Sequence, residues 1–348
     1  MTTAPRFNFR HACRILISQS PHSNEMTTLT PRALRTFNIF QHYPPRYQHL
    51  HRPPFIAYSL SRYSSAASTR TPAPKQLSKV NGPPSTLPAP LIVPEQRKDQ
   101  SYFPSYLFTI GKTYVAFYKT GVWNIWANFK TAQPIQRLVD DKYSSSLRAA
   151  VTAGALTRCD FQLLARNWHD IKRVPVFALM LMICGEFTPL VVLAVSNVVP
   201  WTCRIPKQVD ADRRKLEARR AISFRNLTTS PPVEKGVEKL GRMELLHISW
   251  SLGLSSKIWD WLGGRLPGLP TYILRRRVRK RVEYLEMDDM LLKNGGGVRN
   301  LESEECRMAC VERGIDVYGR SEKQIRSDLE AWLRSTEKVG VERLLLTR

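Results

Sequence analysis

The sequence predicts an all-α protein: a disordered N-terminal leader, one kinked transmembrane helix, and a helical C-terminal domain. Three observations carry that expectation. Residues 1–100 are rich in Arg, Ser, Thr, Pro and His and nearly free of acids, a composition that cannot bury enough apolar surface to fold. Residues 174–199 form an apolar run of 26 residues with one ionisable group. Beyond it, apolar residues recur at helical rather than alternating spacing.

The leader comes first. Residues 1–63 hold eight arginines, no lysine and a single acid, Glu25. Segments such as "FNFRHACRIL" put arginines on one helical face and apolar residues on the other, as a mitochondrial transit peptide does. "RYSSAA" at 62–67 has an arginine two residues before a run of small residues, which predicts cleavage between Tyr63 and Ser64. Residues 64–104 are proline-rich and predict a disordered linker. Residues 105–173 form a helical pre-membrane segment. Its aromatic stretch 106–130 places Tyr106, Tyr114, Phe117, Tyr118 and Trp126 on one broad face with lysines nearby, which suits either a core helix or one lying at a membrane interface. A second helix is expected from about 145 to 169.

The run 174–199 exceeds the roughly 20 apolar residues that cross a bilayer core, and is therefore expected to span. Inside it, "MICGEFTPLV" holds Gly185, Glu186 and Pro189. Pro189 leaves the Gly185 carbonyl without its helical donor, and a neutral Glu186 carboxyl could satisfy it. The expected result is a kink that associates with another helix. A proton or cation relay is the alternative, and it needs an oligomer or another membrane protein for Glu186 to face. Lys and Arg number four in the flank before the run and seven after it, which orients the C-terminal part toward the matrix.

The rest, 200–337 with a tail at 338–348, reads as helices. Ile273, Leu274, Val278, Val282, Leu285 and Leu292 recur at helical spacing after Pro270. Between them Arg275, Arg276, Arg277, Arg279, Lys280 and Arg281 form a basic run on the solvent-facing sides, suited to an anionic partner. Glu304 and Glu305 open the next helix and Gly314 closes it. Ser321 caps the last, with Ile325, Leu329, Trp332 and Leu333 as its buried stripe. A net charge of +24 favours anionic partners. Six scattered cysteines fit a reducing compartment. With five of seven histidines within residues 1–51, no metal site is expected. Phosphate-binding, dinucleotide and nucleophile-elbow motifs are absent, so no cofactor and no enzyme is predicted.

The chain resembles the LETM family of mitochondrial inner-membrane proteins, and above all its ribosome-binding domain, over roughly residues 158–337. The matching stretches are "RVP" (173–175), the "EF" with a nearby proline (186–189), "VPWT" (199–202) and "DDMLL" with Asp288 and Asp289. They continue with Leu301, Glu305, Ala309, Cys310, Arg313, Gly314 and Ile315, then "GRSEKQIRSDLEAWL" with Trp332. The long coiled coil and EF-hand of larger members are not present in this sequence, which puts calcium sensing in doubt, and "NGGG" (294–297) replaces a shorter turn. The resemblance implies a single-pass inner-membrane protein with a 14-3-3-like matrix domain. Its partners would be the mitochondrial ribosome (protein or RNA), inner-membrane lipid, and a homo-oligomer or other membrane proteins, and it would support membrane-protein biogenesis and ion homeostasis. Potassium/proton or calcium/proton exchange through Glu186 is the alternative role. A SAP-like nucleic-acid-binding hairpin at 301–333 is a lesser one, since a mitochondrial leader leaves no DNA partner expected.

Overall fold

In the computed structural model, residues 79–93, 103–184, 199–227, 236–254 and 269–347 are described. They belong to one of the chain's two compact units, residues 1–22, 77–255 and 269–348. The second unit, the expected cleavage point Tyr63 and Ser64, and the motif Gly185, Glu186 and Pro189 lie outside the described residues.

Every described regular element is helical. α1 (Phe103–Lys142) is a 40-residue helix. It tolerates Pro134 because that residue sits on an exposed side. One helix was expected over 145–169, yet two form, α2 (Leu147–Thr152) and α3 (Arg158–Ile171). Gly154 turns the chain with a positive φ of 69°, where a side chain would be strained. Thr157 then restarts the helix through a capping box with Asp160, satisfying two otherwise orphaned groups.

The expected spanning helix is overturned. α4 (Val174–Cys184) has 11 described residues. At ~1.5 Å per residue these cover about half of a ~30 Å hydrocarbon core, and residues 185–198 of the run lie outside the described residues. No helix among the described residues is long and apolar enough to cross a membrane. α1 has the length but carries lysines and polar residues throughout.

α5 (Pro206–Arg225) begins with proline at its first position, where the missing N–H costs nothing. α6 (Arg242–Ser251) packs between α5 and α7 (Thr271–Asn294). α8 (Ser303–Glu312), α9 (Glu322–Val339) and the short α10 (Val341–Leu344) complete the chain. Here the expected stripes hold but for one residue: Leu274, Val278, Val282, Leu285 and Leu292 of α7 and Ile325, Leu329, Trp332 and Leu333 of α9 are buried, while Ile273 is half-buried in the first turn of α7.

The proline-rich stretch 64–104, expected as disordered linker, is ordered where it is described. Residues 79–93 form a strap with a 3₁₀ turn at Pro84–Thr86. Val80, Asn81 and Thr86 are buried. Asn81 donates to the Asn300 carbonyl at 3.0 Å and accepts from the Glu302 amide at 2.8 Å. Side chains therefore replace the backbone ladder that such a segment cannot build.

Candidate functional site

The family-motif positions converge on a buried ionic network. Arg158, the first residue of α3, donates from Nε to Asp288 Oδ1 at 2.8 Å and from Nη1 to the Val80 carbonyl at 2.8 Å. One turn on, Gln162 donates to the same Asp288 oxygen at 2.7 Å. Two turns on, Arg166 grips Glu305 with two bonds of 2.6 and 2.9 Å and reaches Thr86 Oγ1 at 3.0 Å. From the other side Arg313 donates to Asp288 Oδ2 at 2.7 Å and to Asp289 Oδ1 at 2.5 Å. Trp332 donates its indole N–H to Asp289 Oδ2 at 3.1 Å.

Three guanidinium groups thus face three carboxylates, all nearly excluded from solvent. Burial by itself would raise the Asp288 pKa. The charges of Arg158 and Arg313 outweigh it and hold the carboxyl well below its usual range. Glu305 behaves alike, with burial outweighed by Arg166. The network is electroneutral and its carboxylate oxygens are taken up by donors, so it has no acid, base or nucleophile to offer. Among the described residues no cluster of His, Cys, Asp and Glu could hold a metal ion. Its chemistry is structural: it ties α3, α7, α8, α9 and the strap together.

Of the motif positions, Asp288, Asp289, Glu305, Arg313 and Trp332 meet in this network. Leu301 is buried beside it, its carbonyl accepting from Arg326 at 2.9 Å. Gly314 ends α8 with φ 81°. Arg158, Gln162 and Arg166 were not singled out from the sequence. Their i, i+4, i+8 spacing, which lines one helix face, was the available signal.

The basic run of α7 divides in two. Arg275 donates to the Leu240 carbonyl, Arg277 to that of Leu254 and Arg281 to that of Glu312, while Arg279 pairs with Glu238. These four are engaged within the fold. Arg276 and Lys280, one turn apart, are respectively exposed and half-buried, and Glu283 is the acidic group acting on Lys280. The Lys280 ammonium is pushed below its ordinary range by partial burial and then by the positive charges of Arg276 and of Lys172 at the end of α3. Lys172 itself lies 4.3 Å over the Trp168 ring. Like charges from two elements are therefore gathered on one surface.

Residues 266–348 match the family described as LETM1-like, RBD. The chain is a LETM-family protein. Over 265 residues, 66% of this chain, it is 23% identical to the LETM1 domain-containing protein mdm28, mitochondrial, of Schizosaccharomyces pombe. It spans about half of that relative's length, 54%. No solved structure matches. The LETM1-like region contains the whole of α7–α10, whereas Arg158 and Arg166 reach its network from outside it.

Proposed function

We infer that the protein is a non-enzymatic docking factor for mitochondrial ribosomes. The LETM1-like, RBD match supports the ribosome as partner, and the mitochondrial relative supports the compartment. The observation that carries the reading is the basic surface formed by Arg276 and Lys280, one turn apart on α7, and the exposed Lys172 at the end of α3. Like charges gathered on one surface attract a polyanion such as ribosomal RNA. The buried network ties α3 to α7 through Arg158 and Asp288, which fixes the two helices that carry the cluster.

The test is sedimentation of the full chain with purified mitochondrial ribosomes through a sucrose cushion. The wild type should pellet with ribosomes and Arg276→Glu/Lys280→Glu should stay in the supernatant. Lys142→Glu, an exposed reversal at the far end of α1, should pellet normally. Equal pelleting of wild type and double variant would exclude this surface as the docking site.

A further inference from the structure

Among the described residues, one face of the N-terminal half of α1 is exposed. Phe108, Lys112, Val115, Lys119, Val122, Trp126 and Lys130 follow one another at steps of three or four, with Trp123 alongside. At ~100° per residue they fall within roughly a third of the helix circumference. All eight are exposed, with Phe108 at 76% and Trp123 at 62%. The opposite side carries the packing: Phe117, Tyr118 and Ile125 are buried against Phe177, Val199, Cys203 and Ile205. Core formation therefore explains one side of α1 and not the other.

The exposed face has a particular chemistry. Trp123 and Trp126 stand ring to ring at 4.9 Å, and the Lys130 ammonium sits 3.9 Å above the Trp126 ring. No acidic residue occurs between 103 and 139. A protein partner helix would want an unbroken apolar seam, yet here lysines alternate with the apolar residues along the same line. Amphipathic indoles with long cationic stems match the headgroup layer of a bilayer, where rings sit at the interface and ammonium groups reach lipid phosphates.

We propose that this face of α1 docks the protein onto an anionic lipid bilayer, with the helix lying along the surface and not crossing it. The rings of Trp123, Trp126 and Phe108 enter the interfacial layer, and Lys112, Lys119 and Lys130 pair with phosphate groups. The site is distinct from the basic cluster of α3 and α7 and stands or falls separately from ribosome docking.

Vesicle flotation of the full chain tests it. The wild type should float with phosphatidylcholine vesicles containing phosphatidylglycerol and not with phosphatidylcholine alone. Trp123→Ser/Trp126→Ser should lose most of the floated fraction. Lys112→Glu/Lys119→Glu should weaken binding by more than tenfold, at roughly fivefold for each lysine. Lys215→Glu on α5 should float as the wild type does. Circular dichroism confirms that each variant is folded; should the tryptophan pair fail to fold, the lysine pair decides. A wild type that does not float, or α1 variants that float undiminished because the basic leader binds instead, would overturn the proposal. So would a dimer that these variants dissociate in sedimentation equilibrium without any vesicle binding.

Discussion

Asp288 is the residue on which most depends, because it accepts from Arg158, Gln162 and Arg313 at once while fully buried. Removing one charge from such a set leaves guanidinium groups uncompensated in a low dielectric. Asp288→Asn should therefore cost about 3–5 kcal/mol in urea unfolding; a loss below about 1 kcal/mol would show that solvent or rearrangement satisfies the arginines. His247 gives a second handle. It is buried on α6, its Nδ1 2.7 Å from Ser223 Oγ and its ring edge-on to Phe224. Burial holds its pKa below the ordinary 6.5, so the unfolded chain takes up a proton that the folded protein refuses. Stability is full above pH 6.5 and declines as the pH falls toward the folded value. His169 is shifted the same way, again chiefly by burial. Asp288 and Glu305, both depressed, add a second decline below about pH 4. Urea midpoints measured from pH 8 to pH 3 should show both steps, and His247→Phe should shrink only the upper one. Of these residues, the sequence singled out Asp288 by family pattern alone, and Glu305 by family pattern and as an acid in the first turn of its helix. Their partners at 158 and 166 lie more than a hundred positions away, and helical spacing says nothing about which distant helix a polar stripe faces.

At the scale of elements, legibility followed the locality of the signal. α7 starts right after Pro270, α8 ends at Gly314 and α9 starts at Ser321 because each boundary is written within four residues of itself. The same kind of signal at Thr157, with Asp160 three residues on, was present and was passed over when 145–169 was read as one helix. Thr157→Ala should cost about 1 kcal/mol and leave α2 intact, measurable as a lower urea midpoint with unchanged amide exchange in 147–152. Comparable exchange loss in both helices would mean that they act as one element after all. The membrane-crossing expectation failed for a different reason. Hydropathy over 174–199 is additive along the chain, whereas a span needs length and apolarity in one helix, and no helix among the described residues combines the two. The strap was illegible in principle, since its order comes from Asn81, Thr86 and Val80 meeting α3, α8 and the 298–300 turn, and no periodicity encodes that.

At the scale of the whole molecule, the helical architecture of the described residues and the C-terminal third were readable, while the basic surface was readable only as composition. Six basic residues in a row of seven on α7 read as a solvated polycation. The fold engages four of them internally and leaves Arg276 and Lys280 beside Lys172. The central claim is that this remnant, supported by the buried network, meets the ribosome's negative charge. Salt titration of ribosome binding tests it most directly, because each phosphate contact releases counterions and adds to the slope of log affinity against log salt. The account predicts a steep negative slope for the wild type that becomes shallower by about two in Arg276→Ala/Lys280→Ala. An identical slope in both proteins, or binding indifferent to salt, would contradict it.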